Sequence, residues 1–285
     1  MRKFFCVDIG GTKTAFAIFD EEGNEHYYMQ FPTCPEKGAQ SLIERIYKYM
    51  KDRLGGVYCG AIASPGPLNV TSGEIEHIAT MSWKNIPIVD MFEKKFGLRF
   101  SLLNDCDAGG LGVWKYGGFS KYQNVCYISI STGIGGGAIV NGKLLTGRGN
   151  AANFGHIPVG GDGLQCACGN KDCLELYASG SGLERRFAIQ TGEKLSGGEI
   201  AQKAFLGDES ALKLFNDASK KLALALETIV AILDPEIVVL GGSVCKSKDL
   251  FMPYVLKAMP NLKIAYARED GKQVLYGALA QAKLH

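Results

Sequence analysis

"FFCVDIGGTKTAFAIFDEEGN" (residues 4–24) reads as an apolar strand, a Gly10-Gly11 turn and a second strand that sets Ala15, Ala17 and Phe19 on one face before a further turn closes it. "VCYISISTGIGGGAIVNGKLL" (residues 125–145) repeats that plan. Each turn clusters backbone N–H groups that no side chain shields, which is a way to hold a phosphate without a large cationic patch. Two such turns in one chain predict two lobes closing on one polyphosphate. The run Gly133-Ile134-Gly135-Gly136-Gly137-Ala138 also fits the loose dinucleotide fingerprint. That fingerprint opens a helix, whereas the following "AIVNGKLL" is β-branched and holds an Asn-Gly turn, so a returning strand is the better reading.

The segments around the repeats are those of an α/β chain. "AQSLIERIYKYMKDRL" places Leu42, Ile43, Ile46, Tyr49 and Met50 at helical spacing, and "GAIASPGPL" reads as a buried strand ending in a Pro-Gly-Pro loop. "LRFSLLND" is a further apolar strand with Asn104 and Asp105 at its carboxyl end. Downstream, "ALKLFNDASKKLALALETIVAILDP" is a long amphipathic helix stopped at Asp234-Pro235, and "EIVVLGGS" is the buried strand after it. With no linker or low-complexity run to mark a boundary, the repeat divides the chain into an amino-terminal lobe, residues 1–108, and a carboxyl-terminal lobe, residues 109–285. The last helix is expected to pack back on the first lobe.

With 46% hydrophobic and 21% charged residues and a net charge of +2, the 285-residue composition is that of a globular protein. It carries no lysine or arginine run, which argues against nucleic acid or an acidic membrane surface as partner and favours small ligands. The opening "MRKFFCVDIGG" is broken at Asp8, short of a signal-peptide core of about 7–15 apolar residues, so a cytoplasmic location is expected. In that compartment thiols are packing residues or metal ligands sooner than disulfides. Cys6, Cys34, Cys59, Cys106, Cys126 and Cys245 stand alone and read as packing residues.

Cys166, Cys168 and Cys173 differ, lying in one polar loop as C-x-C-x4-C with His156 before them. Three thiols and an imidazole fit a tetrahedral zinc ion, with Gly169 supplying the sharp turn. Four protein ligands close the coordination sphere, so the zinc is expected to be structural and to fix the placement of Asn153, His156 and Glu175. A histidine bound to metal through one ring nitrogen keeps the other for a ligand.

Taken together, "DIGGTK" (8–13), "SPGP" (64–67), "LND" (103–105), "STGIGGG" (131–137), "GH" (155–156), "CACGNKDCLE" (166–175) and "LGGS" (240–243) make the chain resemble a ROK-family sugar kinase. That family belongs to the two-lobed actin and hexokinase superfamily of ATP-binding folds. The resemblance implies that the turns Gly10-Gly11-Thr12-Lys13 and Thr132-Gly133 contact ATP, that Gly241 and Gly242 border the adenosine, and that Asp8 helps hold magnesium through water. It also implies that Asn104, Asp105, His156 and Glu175 contact sugar hydroxyls, with Gly66 lining the site, and that the chain forms a homodimer. A carboxylate at a strand end suits the chemistry: Asp105 can orient a hydroxyl and accept its proton as the bond to phosphorus forms. Asp107 reads as a helix-start residue.

Two positions depart from the pattern usual in glucose kinases of the family. Where those enzymes carry Glu three residues before the histidine, this chain has Asn153, and where they read Asn-Leu-Gly-Trp it has Thr80-Met81-Ser82-Trp83. An amide both donates and accepts, whereas a carboxylate only accepts, so Asn153 can face an acetamido carbonyl. N-acetylmannosamine kinases of the family also tend to lack that Glu, and N-acetylmannosamine is the expected substrate, with glucose the alternative and N-acetylglucosamine or another hexose after it. The family also contains sugar-responsive repressors with an amino-terminal helix-turn-helix; here the first turn begins at Asp8, which argues against that role. A filament-forming or chaperone-like ATPase of the superfamily leaves the cysteine loop without a purpose.

Overall fold

The computed structural model describes residues 1–78 and 81–284, so Thr80 lies outside the described residues. The chain divides into two compact units, one of residues 1–121, 144–151 and 270–285 and one of residues 122–143 and 152–269. The division expected between 108 and 109 falls inside a helix that belongs whole to the first unit. Among the described residues, no helix is long and apolar enough to cross a membrane.

The first unit is built on a five-stranded sheet of order β3-β2-β1-β4-β8. Strands β1 (Lys3–Ile9), β2 (Lys13–Asp20) and β3 (Glu25–Pro32) form an antiparallel meander. β4 (Val57–Ser64) and β8 (Phe100–Asn104) extend it in parallel with β1, after crossovers through α1 (Gly38–Met50) and α2 (Ile88–Phe96). A small sheet of β5 (Leu68–Asn69), β6 (Glu74–Ile78) and β7 (Trp83–Ile86) lies between β4 and α2 in the chain. Both faces of the large sheet are covered at its centre, which is why β1 and β4 read as nearly continuous apolar runs, whereas the edge strand β3 does not. Phe5, Val7 and Ile9 point to the α1 and α2 side, while Phe4 and Cys6 point to the other. Phe5, Phe92, Phe96 and Phe100 meet with ring centroids 5.2–6.0 Å apart, mostly edge to face.

The opposite face is covered by α3 (Asp105–Tyr116) and α9 (Gln273–Ala282), the last helix. Helix α3 contains Gly109, Gly110 and Gly112, which disfavour a helix in isolation. Packing explains them. A Cβ at Gly112 would fall 1.9 Å from the Gln273 carbonyl oxygen, and one at Gly277 of α9 would fall 1.8 Å from that of Ala108. The two backbones therefore touch, and this contact fixes where Asp105, the first residue of α3, stands.

The second unit repeats the plan with the order β11-β10-β9-β12-β13. Strands β9 (Val125–Ile130) and β10 (Ile134–Val140) are the antiparallel hairpin, with β11 (Lys143–Leu144) beyond, so the glycine run is a returning strand and not a helix start. β12 (Ile237–Gly241) and β13 (Ile264–Tyr266) follow in parallel. The helices of this unit are α4 (Glu175–Ala178), α5 (Gly180–Thr191), α6 (Gly197–Phe205), the long α7 (Glu209–Leu233) and α8 (Lys248–Ala258). Helix α7 ends at Asp234 in the left-handed conformation (φ 41°), at the stop read from the sequence.

Gly112→Ala should cost at least about 2 kcal/mol through overpacking, read as a lower midpoint of urea unfolding. Gly198→Ala in α6, where an added Cβ meets nothing within 4 Å, should be neutral or slightly stabilising. Equal midpoints for the two variants would show that the α3 and α9 backbones do not bear on each other.

Candidate active site

In the first unit the candidate residues gather at the carboxyl ends of the parallel strands β1, β4 and β8, where α/β sheets place their ligands. Asp8 of β1 is level with Ala63 of β4, and Ser64 is level with Asn104 of β8. The turn after β1 is tied down through its carbonyls. Gly10 N–H donates to Lys13 O (3.0 Å), Thr33 N–H donates to Thr12 O (2.9 Å), and the Thr33 hydroxyl donates to Gly10 O (2.6 Å). Thr33 and Thr14, both fully buried, join their hydroxyls at 2.9 Å beneath. The amides of Gly11 and Thr12 find no acceptor among the described residues and are exposed. Lys13 is exposed at the head of β2.

Asn104 caps α3, its Oδ1 accepting from the amides of Cys106 (2.9 Å) and Asp107 (3.4 Å). Its Nδ2 is left over and lies 3.5 Å from where a Gly66 Cβ would stand, so these two residues are neighbours. Asp105 Oδ1 accepts from Cys106 N–H at 2.8 Å, and burial raises its carboxyl above the usual range. Burial, and then the charge of Asp105, pushes Asp8 up to about 7. Asp107 is pushed up to about 7 by the same two causes, is only 5% exposed, and has an Oδ1 without a partner. Reading it as a helix-start residue accounts for its position in the first turn of α3 but not for its burial. A cavity of about 810 Å³ borders Asn104 and Asp107, with Asn69, Thr71, Thr146 and Arg148 in its wall. Residues 144–151 return to this unit far from it in sequence, a placement no local pattern announces.

In the second unit the turn after β9 is held in the same way. Ser131 N–H donates to Gly133 O (2.9 Å), while Ser131 O accepts from Gly180 N–H (2.7 Å). Thr132 O accepts from Ser181 N–H (3.1 Å) and from the Ser181 hydroxyl (2.7 Å). The amides of Thr132 and Gly133 again find no acceptor among the described residues. Gly241 is level with Ser129, and Gly242 follows at φ 92°, so both lie at the same sheet end as the turn. Beside them is a cavity of about 380 Å³ lined by Thr132, Ser181, Glu184, Gly197, Ser243 and Lys246. Glu184 accepts from Gly197 N–H at 2.8 Å, and the hydroxyls of Ser131 and Ser243 are 3.1 Å apart. Sequence reasoning missed Thr33, Ser181 and Glu184; lone serines, threonines and glutamates carry no pattern until the chain folds.

His156, Cys166, Cys168 and Cys173 converge, with their ligand atoms all within 4.8 Å of one another. Cys166 Sγ is 3.6 Å from His156 Nδ1, and Cys168 Sγ is 3.5 Å from Cys173 Sγ. A tetrahedron with metal–sulfur bonds of about 2.3 Å has edges of about 3.8 Å, so the residues fit a zinc ion that takes Nδ1 and leaves Nε2 free. The Asn170 amide and the neighbouring thiols hold Cys168 below its usual value. Asp172 latches the loop, accepting from Leu164 N–H (2.8 Å), Gly163 N–H (3.2 Å) and the Tyr177 hydroxyl (2.6 Å). Leu174 N–H donates to Ile157 O at 2.9 Å, which brings the segments of His156 and Glu175 together. Asn153 precedes the 3-10 turn Phe154–His156; its side chain is exposed and does not cap that turn.

Purified without chelator, the protein should carry about one zinc per chain by elemental analysis. Cys168→Ser should lose most of it and lower Tm by at least about 5 °C, the loss of a structural metal being a large effect. A fully folded variant with undiminished zinc would contradict this ligand set. The acids give a pH test. An acid whose native value lies above its unfolded value leaves stability intact below the unfolded value and withdraws it as pH rises through the native one, here about 7 for Asp107. Asp107→Asn should therefore raise Tm by about 3 °C near pH 8, by less near pH 5, and change little below about pH 4, as followed by thermal unfolding.

The geometry agrees with the comparisons. The profile of the ROK family matches residues 4–283. A glucokinase of Streptomyces coelicolor is 30% identical over 275 residues, covering 88% of this chain and 85% of that protein. An N-acetyl-D-glucosamine kinase of Haemophilus influenzae is 30% identical over 273 residues, covering 90% and 89%. Among solved structures, a ROK family glucokinase from Streptomyces griseus in complex with glucose and AMPPNP superposes with a TM-score of 0.83 at 29% identity, covering 99% of this chain and 100% of that one. Matched from its first strand to its last helix, the chain belongs to the ROK family.

Proposed function

We propose that this chain, as a ROK-family sugar kinase, transfers the γ-phosphoryl group of ATP to the 6-hydroxyl of N-acetylmannosamine. The observation that carries phosphoryl transfer is the pair of turns in which the carbonyls of Gly10 and Thr12, and of Ser131 and Thr132, are engaged from within while the amides of Gly11 and Thr12, and of Thr132 and Gly133, stay free for phosphate oxygens. The cavity beside Gly241 and Gly242 suits the adenosine.

Asp105 is the proton acceptor. Its burial raises its basicity above that of an ordinary aspartate, and the amide of Cys106 fixes its orientation. As the O6–H proton passes to Asp105, the O6–P bond forms and the bond from phosphorus to the β,γ-bridging oxygen breaks, releasing ADP. Asp8 would help hold magnesium, which when bound would neutralise charge on the polyphosphate. Zinc in the His156, Cys166, Cys168 and Cys173 set has a structural role, because four protein ligands complete a tetrahedron.

Asn104 Nδ2, the free Nε2 of His156 and Glu175 are the sugar contacts in this reading, with Gly66 giving close approach. Asn153 carries the choice of sugar: its uncommitted amide can donate to an acetamido oxygen where a carboxylate could not. The names of the Streptomyces and Haemophilus relatives make glucose and N-acetylglucosamine the second reading.

The test is ATP turnover with magnesium across no sugar, N-acetylmannosamine, glucose, N-acetylglucosamine, mannose and fructose. N-acetylmannosamine is expected to give the highest kcat/KM. A win for glucose would remove the Asn153 argument and keep the kinase, while no stimulation by any sugar would remove both. Asp105→Asn should keep sugar binding and lower kcat by at least about 100-fold.

A further inference from the structure

We infer that Glu175 is a positioning residue for the nucleotide turn, acting through the Ile134 amide, in addition to the sugar contact suggested for it; the inference rests on the kinase reading. Glu175 Oε2 accepts from Ile134 N–H at 2.8 Å, at the point where the turn becomes β10. The approach is so close that a Cβ on Gly133 would stand 2.5 Å from Oε2 and 3.3 Å from the carboxyl carbon. Gly133 does not lie in the left-handed region, so what demands a glycine there is the carboxylate's space and not an unusual backbone.

Glu175 is one end of a clamp. It opens α4, its carbonyl accepts from the Ser179 hydroxyl at 2.6 Å, and the residues that follow, Gly180 and Ser181, hold the carbonyls of Ser131 and Thr132. Segment 175–181 thus fixes the turn on its carbonyl side at 131–132 and on its amide side at 134. The amides left between, Thr132 and Gly133, are those proposed for phosphate. A carboxylate so near a phosphate would repel it if it faced the ligand; bound to Ile134 N–H, it instead shapes the turn.

No hydrogen bond to Oε1 is found among the described residues. One carboxylate can therefore take a sugar hydroxyl on Oε1 while Oε2 keeps the turn, which links the two substrates through a single side chain.

The experiment is the dissociation constant of AMP-PNP with magnesium, measured calorimetrically without sugar on the full chain and two variants. Glu175→Gln presents an amide oxygen at the same reach and should bind within about threefold of the wild type, although its sugar KM rises. Glu175→Asp keeps the charge but is one methylene too short for Ile134, and its nucleotide affinity should fall about tenfold. A role confined to the sugar would leave both nucleotide affinities unchanged, and a purely electrostatic role would spare the Asp variant and not the Gln; either pattern overturns the inference. Unchanged zinc content and Tm in the variants separate these results from misfolding, and if Glu175→Asp fails to fold, the exchange rate of the Ile134 amide in the wild type decides: protection matching the strand core is expected, and exchange as fast as at Thr132 overturns the inference. A wild type that does not bind AMP-PNP removes the kinase reading, whereas one that binds it equally well as Glu175→Asp removes this inference alone.

Discussion

A backbone turn binds an anion only if its carbonyl oxygens are kept away from it, and the rest of this structure depends on that constraint. Carbonyls and amides alternate along a chain, so a run of free amides needs internal donors for the oxygens between them. In the first unit Thr33, the residue after β3, holds the carbonyls of Gly10 and Thr12, the oxygens on either side of that of Gly11. In the second the donors come from Gly180 and Ser181, delivered by the start of α5. The same backbone task is thus met by different elements in the two halves of an internal repeat. The hairpins recur in sequence because the turn itself needs glycines, while the supports are free to differ.

Much of the fold was legible because the signals were local. The apolar runs of β1, β9 and β12, the helical spacing of α1 and the stop at Asp234 each express the preferences of a few neighbouring residues. The convergence of His156, Cys166, Cys168 and Cys173 was legible for the same reason, three of the four lying in one short run. What escaped is non-local. The edge of the first unit was hidden because Gly109, Gly110 and Gly112 look like a place where a helix would fail, when they are where α3 meets the backbone of α9. Residues 144–151 belong with strands some eighty positions earlier, on no cue that a window of sequence contains.

The acids show how burial changes the meaning of a motif. "LND" predicts a carboxylate at a strand end, and the structure adds that Asp105 shares its surroundings with Asp8 and Asp107, both pushed up to about 7. Burial first, and then the charge of Asp105, disfavours ionisation of Asp8 and Asp107 at this sheet end. Asn104 shows the economy of the site from the other side: its Oδ1 starts α3 and its Nδ2 is left uncommitted, so the residue that builds the helix carrying Asp105 keeps a free donor, the one proposed for the sugar.

The cysteine loop then acquires a mechanical meaning that its motif alone does not convey. Asp172 draws residues 163 and 164 and the Tyr177 hydroxyl inward, Leu174 is paired to Ile157, and the next residue, Glu175, grips the amide of Ile134. Every step from the His156 and cysteine cluster to the turn after β9 is a named hydrogen bond or a covalent neighbour. A carboxylate on a mobile loop would lose rotamer and backbone entropy each time it shaped that turn. Fixed by the hydrogen bonds of the cysteine loop just before it, Glu175 meets that cost on folding, and the turn is formed before any ligand arrives.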